Sequence, residues 1–157
     1  MKHISKSIEI NAPVERVFDF ITTPMNLLSV WPSMAEITNV QRSADGSHSF
    51  DWVYKMAGFP FKGHSQTTDV ERPVRSNVKN EGGVPSTFHW KFEKKGDAMR
   101  LALDVDYEIP APVIGKIAEA VVARINEHEC LNLLANVKAT MELSPTQNAG
   151  QAKHAGA

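Results

Sequence analysis

Cysteine is all but missing from this chain. Cys130 is the only one in 157 residues, so no internal disulfide framework holds the fold, and the composition suits a reducing, cytoplasmic setting. Charge of one sign is missing too. Seventeen Lys and Arg face eighteen Asp and Glu, a net charge of −1, which offers no global attraction to nucleic acid or to an anionic membrane. No run approaches the roughly 18 apolar residues of a membrane-spanning helix. The opening Met1-Lys2-His3-Ile4 carries no signal-peptide core. Metal-ligand spacings, phosphate-binding glycine loops and nucleophile elbows are absent as well. His128-Glu129-Cys130 is no ligand set on a helix, where adjacent side chains point about 100° apart. The expectation is therefore no metal, no cofactor and no nucleic-acid partner.

What the chain does have is 42% hydrophobic and 22% charged residues, ordinary for a globular protein and enough for one sizeable core. Residues 1–143 read as a single domain. The segment 144–157 is rich in Gly, Ala, Gln and Asn and reads as a disordered tail. Ile4, Ile8 and Ile10 alternate with polar residues as a first strand. Asn11-Ala12-Pro13 then opens a short helix whose apolar face is Val14, Val17, Phe18 and Ile21, and Met25 to Trp31 adds a second short helical piece. Six strand-like segments follow: Ala35 to Arg42, Phe50 to Met56, His64 to Val70, Ser76 to Asn80, Phe88 to Phe92 and Met99 to Ile109. Strict alternation predicts an antiparallel sheet with one wet face.

Pro112 to Leu143 carries helical periodicity and stops at Ser144-Pro145. Val113, Ile114, Ile117, Ala118, Val121, Val122 and Ile125 share one stripe. Leu133, Leu134, Val137 and Met141 form another, rotated by about half a turn. A bend between Asn126 and Cys130 is expected, or two halves that pack on different things. The fold class is α+β: a curved antiparallel sheet of about seven strands wrapped around a long C-terminal helix, with two short helices after the first strand.

Three stretches carry a family likeness: Ser7 to Ile21, the pair Trp31-Pro32, and Leu133 to Ala139. With the element order they resemble the helix-grip superfamily, which includes START lipid-binding domains, birch-pollen-allergen-like proteins and the bacterial polyketide cyclase/dehydrase-like family. The resemblance covers about residues 3 to 143. It implies an internal cavity for an apolar or aromatic small molecule. Members bind lipids, quinones, sterols or hormones, and a minority catalyse cyclisation, dehydration or condensation. It implies no universal catalytic set.

If Met56 pairs with Lys62 across the hairpin, then Tyr54 faces His64, Trp52 faces Gln66 and Phe50 faces Thr68. Val70 on the same face argues that this face points inward. The alternative is an edge strand whose polar side is wet. The expected cavity wall is Phe50, Trp52, Tyr54, Phe88, Trp90, Leu103, Val105, Ile117, Val121 and Ile125, with His64, Gln66 and Thr68 as buried polar groups and Tyr107 offering a hydroxyl. Glu129 is either at the cavity mouth or solvated beside the bend. Three functions remain open: a binder of an apolar or aromatic molecule, a cyclase or dehydratase-type lyase with Tyr54 and His64 as acid and base, and a lipid carrier with Gly58-Phe59-Pro60-Phe61 and Met25 to Trp31 as an apolar, membrane-touching entrance. The residues leave oligomeric state open.

Overall fold

The computed structural model describes the backbone of residues 1–155 and the side chains of residues 1–143. Seven strands form one sheet: β1 (Lys2–Ile10), β2 (Met34–Arg42), β3 (His48–Met56), β4 (Phe59–Glu71), β5 (Arg75–Gly82), β6 (Ser86–Lys95) and β7 (Ala98–Tyr107). Their order is β1-β7-β6-β5-β4-β3-β2, and every pairing is antiparallel. Between β1 and β2 lie α1 (Val14–Ile21), a 3₁₀ turn (Pro24–Asn26) and α2 (Leu27–Val30). After β7 come α3 (Ala111–Ile114) and α4 (Glu119–Ala155). This is the expected helix-grip architecture. The sheet has one apolar face, and the long helix covers it. The tail expected over 144–157 lies outside the residues whose side chains are described. No helix among the described residues is long and apolar enough to cross a membrane.

The C-terminal helix differs from the expectation in where it breaks. The chain leaves α3 at Gly115 and re-enters helix only at Glu119, and α4 then runs unbroken through Asn126 and Cys130. Within α4 the buried positions are Val122, Asn126, Cys130, Leu133, Leu134, Val137 and Met141. At 100° per residue these fall within a single stripe about 120° wide. The apparent second stripe arose from carrying one helical phase across the break. Val121 and Ile125, placed on the cavity wall by that phase, are 48% and 39% exposed.

The register of the β3/β4 hairpin also differs. The turn is only two residues, Ala57 and Gly58, both at positive φ (50° and 86°). That is the backbone of the favoured two-residue hairpin turn. Met56 therefore pairs with Phe59, and Tyr54 with Phe61, three positions earlier on β4 than expected. Side chains alternate with period two, so an odd shift moves every β4 residue to the other face.

Candidate functional site

An internal cavity of about 80 Å³ lies between the inner face of the sheet and α4. Phe50, Trp52, Tyr54 and Met56 reach it from β3, Phe88 and Trp90 from β6, and Val105 and Tyr107 from β7. Trp31, just after α2, meets Tyr54 edge-on with ring centroids 5.4 Å apart, and Phe88 at 5.3 Å. These three rings come from separate elements and join in the wall. Such contacts add modestly to the area each ring buries.

A glycine sets the position of one wall residue. A Cβ at Gly63 would stand 2.1 Å from Trp52 Cζ2 and 2.5 Å from the Glu81 carbonyl oxygen. Gly63 is the cross-strand neighbour of Trp52, and the absence of a side chain there lets the indole lie flat across β4.

The polar groups of the wall are not those expected. His64, Gln66 and Thr68 are exposed on the outer face, and His64 Nδ1 lies 2.7 Å from Asp51 Oδ1. This corrects their placement in the cavity and separates His64 from Tyr54. Val70 is indeed turned inward and packs on the core. Its phase does not extend back to Thr68, because an irregularity between Thr67 and Asp69 interrupts the β4/β5 register. Bulges of this kind reset which residues share a face. Leu103 is fully buried but belongs to the packed core rather than the wall. Ile117, in the break between α3 and α4, packs against the core from outside the cavity.

In their place the wall carries His48, Ser65, Ser76, Asn80, Ser86 and Asn126, none of them expected there. Ser65 pairs with Asn80 across β4/β5, Asn80 with Ser86 across β5/β6, and Ser86 with Tyr107 across β6/β7. They form a polar row across four strands. The Ser65 hydroxyl donates to Asn80 Oδ1, and Asn80 Nδ2 donates to Ser86 Oγ at 3.0 Å. His48 donates from Nδ1 to the Gly46 carbonyl oxygen at 2.9 Å and stacks on Phe50. Burial holds its pKa below the ordinary histidine value, so the ring is neutral with Nε2 as its free acceptor. Extending the Phe50, Trp52, Tyr54 alternation by one step finds His48. Ser86 follows in the same way from Phe88 and Trp90. Ser76 and Asn80 carry no such signal, since both faces of β5 are largely polar.

Among the described residues four buried polar atoms lack a full hydrogen bond within the protein: Trp31 Nε1, Trp52 Nε1, Ser76 Oγ and Asn126 Nδ2. Trp31 and the Asn126 amide lie beside the Tyr54 and Tyr107 hydroxyls and interact with them weakly, whereas Trp52 Nε1 and Ser76 Oγ meet nothing. All four residues line this cavity. Native proteins leave few such atoms, and each calls for an explanation.

Among the described residues no lysine, arginine, aspartate or glutamate lines the cavity. Glu129 stands at its margin, where its Oε1 accepts a hydrogen bond from the Ser33 backbone N–H at 2.8 Å. Burial pushes the Tyr54 phenol well above its usual range, with the Glu129 carboxylate adding to the effect. The same two causes push the Cys130 thiol up to about 12, and burial raises Tyr107. These groups are therefore neutral at physiological pH. Among the described residues no group of three or more His, Cys, Asp or Glu is placed to hold a metal ion.

Solved structures share this architecture. The Thermus thermophilus protein TTHA0849 superposes with a TM-score of 0.76 at 20% identity, over 89% of this chain and 97% of that one. A START superfamily protein from Mycobacterium smegmatis gives 0.73 at 14% identity, over 89% and 97%. The Zhui aromatase/cyclase from a Streptomyces species gives 0.69 at 14% identity, over 90% and 94%. At these identities the likeness is one of fold. No curated protein matches the sequence. A family model does match, over residues 1–142, and the chain thus belongs to the family described as polyketide cyclase / dehydrase and lipid transport.

Proposed function

We propose that the protein binds an apolar or aromatic small molecule in the cavity between sheet and helix. The observation that carries this reading is the set of four buried polar atoms without a full hydrogen bond in the protein, on Trp31, Trp52, Ser76 and Asn126. They come from β3, β5, α4 and the turn after α2, and surround one aromatic-rich space. Apolar walls with a few placed polar groups are what small-molecule pockets are built from. The cavity is small against the roughly 300–1,000 Å³ of drug-sized sites, so a ligand beyond one ring displaces part of the Trp31–Tyr54–Phe88 cluster. The lyase alternative loses its acid/base pair, since Tyr54 and His64 lie on opposite faces of the sheet.

Ethylbenzene, a neutral single-ring probe followed by ligand-observed NMR, tests the reading. It should bind the wild-type chain. It should not bind Val78→Phe, which fills the cavity from β5 where Val78 is buried in the wall. Thermal unfolding of the variant should remain cooperative. Absence of ethylbenzene binding to the wild type, or equal binding to folded Val78→Phe, sinks the proposal.

A further inference from the structure

We propose that the cavity selects an uncharged, ring-bearing ligand with a carbonyl-type hydrogen-bond acceptor, and rejects carboxylates and phosphates. This rests on the binding reading above and names the chemical class of its ligand. The atoms without a full hydrogen bond are three N–H groups, on Trp31, Trp52 and Asn126, and the Ser76 hydroxyl. Trp52 and Ser76 are wholly unmet, while Trp31 and Asn126 have only weak contacts with the Tyr54 and Tyr107 hydroxyls. Indole and amide N–H groups only donate, so their complement on a ligand is an acceptor. The four side chains are at most 8% exposed, which makes each unmet donor costly in the unliganded protein and each met one worth more.

A charged acceptor would satisfy the donors equally well in geometry, but it fails on electrostatics. Among the described residues no cation lines the cavity to neutralise an anion, and burying an unpaired carboxylate carries a large desolvation penalty. Among the charged groups outside the wall, the Glu129 carboxylate, anchored to Ser33, acts most strongly on Tyr54 and Cys130, and its negative field opposes a second negative charge. Burial holds the Tyr54 phenol and the Cys130 thiol in their neutral forms, and that field adds to the effect. Lys6, Lys2 and Arg42 are felt at Cys130, Tyr107 and His48 but stand outside the wall and offer an anion no direct partner. A ligand cation gains nothing from the donors, whose hydrogens point their positive ends into the space. What remains is a neutral molecule whose ring packs on Trp31, Tyr54 and Phe88 and whose carbonyl oxygen takes one or more of the free donors.

Three probes of one size separate the possibilities: ethylbenzene, acetophenone and benzoate. They are titrated at pH 7.5 into the full-length wild type, Ser76→Ala and Asn126→Leu. Benzoate should bind at least about 100-fold more weakly than acetophenone, as expected for an unpaired buried charge. The ratio of acetophenone to ethylbenzene affinity should fall by about threefold to tenfold in at least one variant, the loss of one hydrogen bond. Benzoate binding within tenfold of acetophenone overturns the proposal. So does an unchanged ratio in both variants, even though ethylbenzene binding would leave the cavity reading standing. If neither neutral probe binds the wild type, both readings fall together.

Discussion

His64 Nδ1 sits 2.7 Å from Asp51 Oδ1, directly across the β3/β4 ladder and on the solvent face of the sheet. Asp51 also accepts from Asn39 Nδ2 at 2.7 Å. Both partners of this contact are nearly half exposed, and exposed polar pairs of this kind contribute little to stability. The Tyr54 phenol belongs to the opposite, inner face.

His64→Gln should therefore leave probe binding within twofold of wild type and unfolding free energy within about 0.5 kcal/mol, as for ordinary surface substitutions. A loss of tenfold or more in ethylbenzene affinity, measured by NMR titration, would mean that the outer face communicates with the cavity.

Gly63→Ala places a methyl group where the Trp52 indole lies. The backbone there is fixed by ladders on both sides, to Trp52 and to Gly82, so the indole has to move. We expect a loss of about 1–3 kcal/mol, typical of overpacking, together with a shift in tryptophan emission. Urea denaturation with an unchanged midpoint would show that the indole has another rotamer to use.

The element order was legible because alternation in β3, β6 and β7 is strong and local. The site was legible only in part, and each miss has a physical origin. The hairpin register hung on whether Ala57 tolerates positive φ beside Gly58; it does, and a two-residue turn replaced a five-residue one. Val70 gave the correct face for its own position, but the bulge after Thr67 cut it off from His64. Asn126 and Cys130 lie in the centre of the buried stripe of α4, yet an apolar-residue count skips the asparagine and moves the phase to Val121 and Ile125. Alternation along β3, β6 and β7 puts Phe50, Trp52, Tyr54, Phe88, Trp90, Val105 and Tyr107 on the inner face, where they line the cavity. The polar row of Ser65, Asn80 and Ser86 was invisible because it runs across strands, a direction that one strand's sequence does not encode.

His48 makes stability depend on pH. Burial lowers its folded-state pKa, and the nearby Arg42 charge acts in the same direction. The unfolded chain takes up a proton as pH falls below about 6.5, while the folded ring stays neutral. Unfolding thus binds protons in that window, and stability decreases as pH falls. The decline should begin near pH 6.5 and be no steeper than about 1.4 kcal/mol per pH unit. Carboxylates held low by partners, such as Asp19 beside Arg72, act only in more acidic solution. Chemical denaturation of wild type and His48→Gln between pH 7.5 and 5.0 checks this. The variant should be less stable at pH 7.5 but flatter across the window, and parallel curves would remove His48 as the cause.

The donors without a full hydrogen bond imply a conflict between stability and binding. Ser76 is fully buried with a hydroxyl that meets no protein acceptor, and it faces Trp90 across the β5/β6 ladder. Removing an unmet polar group from an apolar setting relieves its desolvation cost, and the cavity left by one oxygen is slight. Ser76→Ala should therefore stabilise the unliganded protein by about 1 kcal/mol, or about 2–4 °C in Tm for a chain of this size. Asn126→Leu replaces an amide in the buried stripe of α4 with an apolar group of similar volume; it also removes the weak contact with the Tyr107 hydroxyl, so its gain should be smaller than that of Ser76→Ala. Most core substitutions destabilise, so a rise in Tm in calorimetry is a demanding outcome. Paired with weaker acetophenone binding, it would identify these atoms as kept for a ligand at a cost to the fold. A drop in Tm for both variants would mean that the hydroxyl and the amide are met within the folded protein, and that the donors are not waiting for a guest.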